Sequence, residues 1–514
     1  MTYLLAFLSG GFSVAAYAPL ELWWLMPICM MLLFQLLIDR SEKESFLLAF
    51  LFAFGQFGVG ASWIYVSLQT YGNMPIWMAI IAVILFVGLC AAVTGVFGFV
   101  YAKYRFKQTG IFNAVLFSAI WVLAEWLRSV LFTGFPWLDI GYSQTTQWLS
   151  AYAPIGSVYL VSFVCALISA CFGLTIRHCI SYRQQLVTKV KSHLITPVFL
   201  ILVIVITGLL LQNIQWSEAN GKSYRVAIIQ GNTSIEEKWQ NQYQSKILGD
   251  YFRLIQQHQA DLVLLAETAL PVYLHQTDAE FWTTMKGQNT AILSGIVERD
   301  FEKQTIYNSA NLVCGENQTQ TKENSDFYQG EQIYRKKHLV PFGEYLPFRN
   351  LLSWVLNYLQ IPMSDFSAGE GLQSLECDGL KISLSICYED AFASEIRQSL
   401  SELNGAGILV NISEDAWFGN SLAPHQRVQM AQMRAIETAR PMLRSANSGP
   451  STHINYQGKI LSSTQQFMQD SILVEVQPRI GTTPFSRFGL WIILFCFMFA
   501  IAAVLFKYRQ FSTN

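Results

Sequence analysis

A thiol, a carboxylate and an amine stand in three separate segments of this 514-residue chain. Cys387 follows the apolar run Ile382–Ile386, and Glu267 comes shortly after the apolar run Leu262–Leu265. Lys336 lies in a short basic run that leads into a turn containing Pro and Gly. A carboxylate can take the proton of a thiol, a thiolate can attack a carbonyl carbon, and an ammonium can stabilise the resulting oxyanion. These residue types therefore suit acyl transfer through a thioester.

Each of the three residues also has a structural interpretation. At the junction of a strand and a helix, Cys387 is expected to be a reactive thiol, because a helix N-terminus lowers the pKa of a thiol. The alternative is a packed thiol at a strand end. Glu267 could instead cap the segment that follows it, and the basic run Arg335–Lys337 could be a solvated surface. Spacing alone does not prove that the three side chains converge.

The elements that would position these residues belong to a polar block at 215–487. Short β-branched runs alternate there with amphipathic stretches, a pattern typical of a layered sheet with helices packed outside. The predicted strands are Arg225–Gln230, Leu262–Leu265, Ala291–Ile296, Ile382–Ile386 and Ile408–Ile412, and the predicted helical stretches are Glu236–Gln259 and Pro424–Arg440. The polar tract Glu316–Gly330 is expected to be a hairpin loop.

The rest of the chain has the composition of a membrane protein. Hydrophobic residues make up 52% of the chain and charged residues 13%, and the mean hydropathy is +0.31. A span needs about 20 apolar residues, and the apolar stretches predict eight spans, at 3–18, 22–38, 46–68, 74–102, 111–127, 155–176, 194–214 and 488–506. We therefore expect a seven-span α-helical bundle at 1–214, an α/β domain at 215–487, and a last span with a tail at 488–514.

The Lys and Arg residues of the short loops predict the orientation. Alternate loops and the C-terminal tail hold eleven of them, whereas the intervening loops, at about 69–73 and 133–154, hold none. Positively charged loops stay in the cytoplasm, so both termini are expected inside and block 215–487 outside. No Lys or Arg precedes the first apolar run, so an uncleaved span is expected there rather than a signal peptide. The net charge of −1 gives no basic field for nucleic acid.

The order Glu267, Lys336, Cys387 resembles the Glu-Lys-Cys triad of the nitrilase superfamily. A longer stretch, from about residue 17 to residue 487, is similar to the apolipoprotein N-acyltransferase family, in which a nitrilase-like αββα domain is inserted before the last span of a membrane bundle. The motifs that carry this similarity are Thr133-Gly134-Phe135-Pro136-Trp137-Leu138, Gly141-Tyr142-Ser143-Gln144, Gln230-Gly231-Asn232, Lys238-Trp239, Leu339–Tyr345, Cys387-Tyr388-Glu389, Asp415–Gly419, Arg434-Ala435 and Arg440-Pro441.

This resemblance implies a ping-pong acyl transfer in the bacterial inner membrane, with the catalytic domain facing the periplasm. Cys387 would take a fatty acyl chain from a glycerophospholipid and pass it to the α-amine of the N-terminal S-diacylglyceryl-cysteine of an apolipoprotein. Glu267 would act as base and then as acid, and Lys336 would stabilise the oxyanion. No cofactor is implied, and the lack of a C-x-x-C or Cys/His ligand spacing argues against a metal.

The resemblance also implies supporting residues. The family's lysine lies eight residues before the glutamate of Pro-Phe-Gly-Glu, and that count from Glu344 selects Lys336 in the basic run. Glu344 would orient Lys336, and Tyr388 and Glu389 would shape the pocket. Trp239 would belong to a loop near the lipid substrate, with an aromatic residue packed on the domain as the alternative.

Three positions depart from the residues usual in the family. Ala266 stands where Pro is usual, Glu414 replaces an Asn, and Arg427 stands where His is common. These departures concern the detail of the pocket and not the triad.

Two pairs of residues leave alternatives open. Cys314 and Cys377 could form a disulfide in an oxidising compartment, but we expect buried free thiols. Glu125 and Arg128, three residues apart near the outer end of the fifth span, are expected to pair with each other, and a lipid headgroup site is the alternative.

Two other functions are compatible with parts of the pattern. A membrane-anchored nitrilase or amidase would share the triad but would hydrolyse small amides and would not need eight spans. A transporter would use the α/β domain only for binding, and it would need charged or broken helices at mid-membrane. Apart from Glu125, the later spans are uncharged.

The orientation can be tested by labelling introduced cysteines in intact cells. A label near Ser181 should be reachable only from the cytoplasm and a label near Glu316 only from outside, because Lys and Arg are retained on the inner side. An external label near Ser181 would reverse the predicted topology.

Overall fold

The computed structural model describes residues 1–106, 110–184, 190–286, 289–315, 332–347, 365–371, 375–402 and 405–512. They form two compact units. The helical unit comprises Met1–Tyr65, Trp77–Gln215 and Phe488–Asn514, and the sandwich unit comprises Val66–Ile76 and Trp216–Arg487. The loop predicted at Glu316–Gly330 lies outside the described residues.

Apolar helices make up the helical unit. They are α1 (Thr2–Ser13), α2 (Leu25–Leu37), α3 (Glu42–Gly60), α4 (Trp63–Val66), α5 (Ile76–Tyr104), α6 (Ile111–Val130), α7 (Ala153–Gln184), α8 (Val190–Leu211) and a C-terminal helix, Trp491–Ser512. Within the described residues, four helical segments are long and apolar enough to cross a membrane, namely Ile76–Tyr104, Ile111–Thr133, Trp148–Ile180 and Trp491–Arg509. A fifth is added if Glu42–Gly60 and Trp63–Tyr71, bent by 48°, form one span.

Three further helices contain shorter apolar stretches, at Thr2–Ala16, Leu25–Leu37 and Ile195–Leu211. At about 1.5 Å per residue the first two reach roughly 20–22 Å, against about 30 Å for the hydrocarbon core. The third is part of α8, which has 22 residues in all. These stretches correspond to three of the predicted spans.

Buried ionisable side chains in the helical unit pair differently from the sequence prediction. Arg128 donates to Asp139 Oδ1 at 2.5 Å. Glu125 Oε1 accepts from the indole N–H of Trp121 at 2.8 Å and from the backbone N–H of Ile140 at 2.7 Å. The predicted pair between Glu125 and Arg128 is therefore wrong. The segment that follows α6 supplies a fully buried carboxylate, Asp139, which Arg128 binds instead.

Two six-stranded sheets form the sandwich unit. Its strands are β1 (Glu218–Ala219), β2 (Tyr224–Gln230), β3 (Leu262–Leu264), β4 (Ala291–Asp300), β5 (Thr305–Val313), β6 (Gln332–Arg335), β7 (Leu375–Cys377), β8 (Leu380–Ile386), β9 (Ile408–Ser413), β10 (Met442–Ala446), β11 (Thr452–Ile454), β12 (Ile460–Ser463), β13 (Asp470–Val476) and β14 (Arg479–Ile480). The first sheet has the order β13-β2-β3-β4-β5-β6 and the second the order β12-β11-β10-β9-β8-β7, and β1 pairs with β14 in a separate two-stranded sheet. In each sheet the three central strands, β2–β4 and β8–β10, run parallel.

Helices cover the outer faces of the sandwich. They are α9 (Ile235–Lys238), α10 (Asn241–Gln256), α11 (Ala279–Lys286), α12 (Ala393–Glu402), α13 (Ala423–Thr438) and α14 (Pro484–Phe488). One apolar core lies between the sheets and includes Val226, Leu264, Leu384 and Val410. A second core joins α10 and α11 to the first sheet, and a third joins α12 and α13 to the second sheet. These layers agree with the alternation of strands and helices, which predicts a layered sheet with helices outside, and they give the αββα sandwich that the resemblance implies.

A disulfide joins the two sheets. Cys314 follows β5 in the first sheet and Cys377 ends β7 in the second, and they are bonded with their Cα atoms 5.8 Å apart. The expectation of free thiols at these two positions is wrong. Their separation of 63 positions in the sequence gives no indication that both cysteines lie in the core between the sheets.

A short segment from the N-terminal part of the chain belongs to the sandwich unit. Val66–Ile76 includes the predicted loop at 69–73, and the sequence predicts that it belongs to the seven-span domain 1–214. It contains the π-helical turn Ser67–Tyr71. Ser67 Oγ donates to the carbonyl of Trp417 at 2.8 Å, and the Tyr71 ring meets the Trp417 ring edge to face, with centroids 6.1 Å apart. These contacts explain why this segment packs with the sandwich.

Candidate active site

Glu267 lies just beyond the carboxyl end of β3, in a turn that needs a close approach of two backbones. The next residue, Thr268, has a φ of +45°, in the left-handed region. Gly295 of β4 passes so close that a Cβ there would lie 2.4 Å from the backbone nitrogen of Thr268. A glycine in β4 therefore allows the turn that carries Glu267, whose side chain is only 5% exposed.

Lys336 follows β6 and is held between two carboxylates. Its backbone N–H donates to the carbonyl of Asn308 at 2.8 Å. Its ammonium is almost completely buried, at 1% exposure, and donates to Glu267 Oε1 at 3.2 Å and to Glu344 Oε1 at 2.9 Å. The Asn308 amide donates to the same two oxygens, at 2.7 Å each. The structure thus brings together two of the three residues of the predicted triad.

The charges of this cluster depend on one another. Burial disfavours the charged form of Lys336, but the carboxylates of Glu267 and Glu344 more than compensate and raise the pKa of the ammonium. Burial also favours the neutral form of Glu267, but the charge of Lys336 and the hydrogen bond from Asn308 outweigh it and lower the pKa of the carboxyl. At neutral pH the lysine is cationic and Glu267 is an anion.

Cys387 comes directly after β8 in a strained backbone conformation. Its φ is +51°, which costs a non-glycine residue about 1–3 kcal/mol. Its carbonyl accepts from the Asn411 amide at 3.0 Å and from the Arg427 guanidinium at 2.6 Å. The neighbouring strand and α13 thereby hold the turn that carries the thiol.

The thiol of Cys387 is not acidified in the way the sequence predicts. Its residue is 8% exposed. Burial raises the pKa of the thiol to about 11, the charge of Glu267 adds to this increase, and Lys336 and Arg427 oppose it. The expected lowering by a helix N-terminus is wrong, because desolvation dominates. Ionisation of Cys387 therefore requires a base, and Glu267, whose charge reaches the thiol, is placed to supply it.

Glu344 closes the far side of the lysine site. Its Oε1 binds Lys336, and its Oε2 accepts from the backbone N–H of Val340 at 2.8 Å. Between them, Phe342 has a φ of +63°. Glu344 therefore joins the turn to the ammonium, as expected of a residue that orients Lys336.

Glu389 binds backbone rather than lysine. Its carboxylate accepts from the backbone N–H groups of Ile386 and Lys337, both at 2.7 Å, and from the hydroxyl of Tyr334 at 2.9 Å. Burial raises the pKa of the Glu389 carboxyl to about 6. These bonds connect the turn that carries Cys387 to β6 and to the backbone next to Lys336. The ring of Tyr388 packs edge to face on Phe392, with centroids 5.1 Å apart.

Trp239 packs against an apolar cluster of the sandwich. The buried members of this cluster are Val297, Leu339 and Phe366, and Trp239 is one of the partly buried residues around them. Trp239 therefore packs on the domain, which the sequence allowed as the alternative to a position near the lipid substrate. Lys238, directly before it, forms a buried ion pair with Glu414.

The sequence alone gave no role to several residues of the site. Asn308 and Asn411 lie inside buried strands, and Glu414 donates its backbone N–H to Glu267 Oε2 at 2.9 Å. Arg427 stood out only as a departure from a family pattern. The signal that could have revealed the two asparagines is a carboxamide within an otherwise buried strand, because such a group must find hydrogen-bond partners.

The arrangement has the parts that acyl transfer needs. The charges of Glu267 and Lys336 both act on the thiol of Cys387. Glu267 can carry a proton, and Lys336 has a third N–H bond besides the two that it donates to Glu267 and Glu344. Such a set can activate a nucleophile and stabilise a developing oxyanion.

Two family models match separate parts of the chain. The family model described as the apolipoprotein N-acyltransferase N-terminal domain matches residues 9–171, and the carbon-nitrogen hydrolase model matches residues 225–485. Among solved structures, Nit3 of Saccharomyces cerevisiae, a member of branch 10 of the nitrilase superfamily, aligns with a TM-score of 0.37 at 17% identity, over 51% of this chain and 93% of that one.

Curated relatives match almost the whole chain. The apolipoprotein N-acyltransferase of Nitrosomonas europaea is 34% identical over 94% of this chain and 93% of its own length. The enzyme of the same name from Chromobacterium violaceum is 33% identical over 99% of this chain and 94% of its own length. On these matches, the chain belongs to the apolipoprotein N-acyltransferase family.

Proposed function

We propose that this chain transfers a fatty acyl group from a glycerophospholipid to the α-amine of the N-terminal S-diacylglyceryl-cysteine of an apolipoprotein, through a thioester on Cys387. The observation that carries this proposal is the buried ammonium of Lys336 between Glu267 and Glu344, acting electrostatically on the thiol. Membership of the family supports the choice of substrates. Glu267, Lys336 and Cys387 are proposed as the catalytic triad.

In the first half-reaction, Glu267 takes the proton of Cys387 and the sulfur attacks the ester carbonyl of the phospholipid. Protonation of Glu267 removes the negative charge that raises the pKa of the thiol, so the two steps assist each other. Two N–H bonds of Lys336 point at carboxylates in the described residues, and the third remains for the oxyanion. The C–O bond then breaks, and Glu267 returns the proton to the departing lysophospholipid oxygen.

In the second half-reaction, the α-amine of the lipoprotein attacks the thioester carbonyl. Glu267 accepts a proton from the amine, and the C–N bond forms. The C–S bond breaks with its electron pair going to sulfur, and the proton held by Glu267 regenerates the thiol. Lys336 stabilises the oxyanion of this step as well, which explains why a single site serves both substrates.

The membrane arrangement is part of the proposal. Eight spans would place both termini in the cytoplasm and residues 215–487 in the periplasm. The charge asymmetry of the loops supports this orientation. A catalytic domain on that side would meet phospholipids and lipidated proteins of the outer leaflet.

The covalent intermediate can be trapped by withholding the acceptor. Given phospholipid alone, the purified enzyme should gain the mass of one acyl group and then stop, because a thioester persists when water is kept out. Neutral hydroxylamine should remove the added mass, and a peptide with an S-diacylglyceryl-cysteine and a free α-amine should discharge it. Intact-mass spectrometry measures each step.

Two variants make this experiment specific. Cys387→Ala should take up no acyl group, whereas Cys179→Ala, which removes an exposed free thiol of the helical unit, should be acylated like the unmodified enzyme. Continuous release of fatty acid without acceptor would instead identify a hydrolase, in agreement with the amidase alternative.

Neighbouring lysines provide a matched test of the oxyanion role. Lys336→Met should lower the rate of acyl transfer by roughly 10²–10³, the usual cost of removing an oxyanion donor. Lys337→Met should change it little, since the bond that ties Lys337 to Glu389 is made by its backbone N–H. The measurement is the initial rate with a lipopeptide acceptor, after size-exclusion chromatography has shown that both variants are folded. A larger loss in Lys337→Met than in Lys336→Met would show that Lys337, and not Lys336, stabilises the oxyanion.

A further inference from the structure

A second cation lies beside the sulfur of Cys387. Arg427 extends from α13 and is completely buried. Its guanidinium donates to the carbonyl of Cys387 at 2.6 Å and to Asp390 Oδ1 at 2.7 Å, and its Nη1 lies 3.7 Å from Cys387 Sγ. The bond to the carbonyl alone would be structural, but the contact with Sγ joins the guanidinium to the reacting atom.

The charges around the thiol explain why a second cation is useful. Lys336 is the first cation, but two carboxylates already bind it, at 3.2 and 2.9 Å. When Glu267 takes the proton, the negative charge moves to the sulfur and needs a new partner. Arg427 remains charged at any physiological pH, and it opposes the increase in the pKa of the thiol that burial causes.

We propose that Arg427 is a second catalytic cation, which stabilises the thiolate of Cys387. It acts when Glu267 removes the thiol proton, and again when the C–S bond of the thioester breaks and its electron pair returns to sulfur. The second action rests on the proposed function, whereas the first concerns the free enzyme only. Asp390 holds the guanidinium in place and partly neutralises its charge.

The reactivity of Cys387 with iodoacetamide tests this role without any lipid substrate. The full-length protein in detergent is alkylated between pH 6 and pH 10, and mass spectrometry of the Cys387 peptide separates this thiol from the other free cysteines. Below the pKa of the thiol, the rate follows the thiolate fraction. Arg427→Gln should raise that pKa by about one unit, which slows alkylation at pH 8 about tenfold. Arg427→Lys should recover part of the rate.

A matched variant separates charge from structure. Asp390→Asn breaks the same ion pair but leaves the guanidinium without its counter-charge, so alkylation of Cys387 should become faster than in the unmodified protein. The other charged groups that act on the thiol or on the ion pair are the same in every variant, namely Glu267, Lys336, Asp415, Arg434 and Arg444. If both changes slowed alkylation, or if neither altered its pH dependence, Arg427 would be only structural and the proposal would be overturned.

A second measurement follows the absorbance of the thiolate at 240 nm, as the difference between each protein and its Cys387→Ser counterpart. It reports the thiolate even if iodoacetamide reaches the site slowly. The sign of the shift should be the same in both measurements, and an absorbance titration that Arg427→Gln and Asp390→Asn leave unchanged would contradict the proposal. Neither measurement uses phospholipid, so a failure of acyl transfer and a failure of the arginine role remain distinguishable.

Discussion

The pairing of the buried Lys336 ammonium with two carboxylates is the interaction on which the rest of the sandwich depends. A buried charge is strongly unfavourable unless it is paired and hydrogen-bonded. The carboxyl end of β3 supplies Glu267, the turn after β6 supplies Glu344, and the amide of Asn308 on β5 binds both carboxylates. Three strands of the first sheet, β3, β5 and β6, must therefore be in the correct register before the charges balance, so the fold and the site are specified together.

The second sheet contributes turns that hydrogen-bond to Glu267 and to the backbone next to Lys336, both of which follow strands of the first sheet. The backbone N–H of Glu414, after β9, donates to Glu267, and Glu389, after β8, accepts from backbone groups next to Lys336. Buried ion pairs at the same edge, Lys238 with Glu414 and Arg427 with Asp390, hold these turns. Losing one partner of such a pair typically costs about 3–5 kcal/mol. The strained φ of Cys387 is held in the same way, by the hydrogen bonds of Asn411 and Arg427 to its carbonyl.

The sequence predicts the elements better than it predicts their polar contacts. Continuous apolar runs such as Leu262–Leu265 predict buried parallel strands, because such strands are covered on both faces. The run therefore also predicts where the chain leaves the sheet and reaches Glu267. Pairings across long separations could not be predicted. Arg128 binds Asp139 rather than its helical neighbour, and the elevated pKa of Cys387 follows from a burial that only the folded core defines.

If Glu267 and Lys336 act as one unit, the rates of single and double variants give the most direct test. Residues that work together are non-additive, so removing the second costs little once the first is gone. We predict that Glu267→Gln and Lys336→Met each lower acyl transfer strongly, and that the double variant is no slower than the worse of the two. If the two losses instead multiplied in the double variant, the residues would act independently, and the account of a single charge cluster acting on Cys387 would be contradicted.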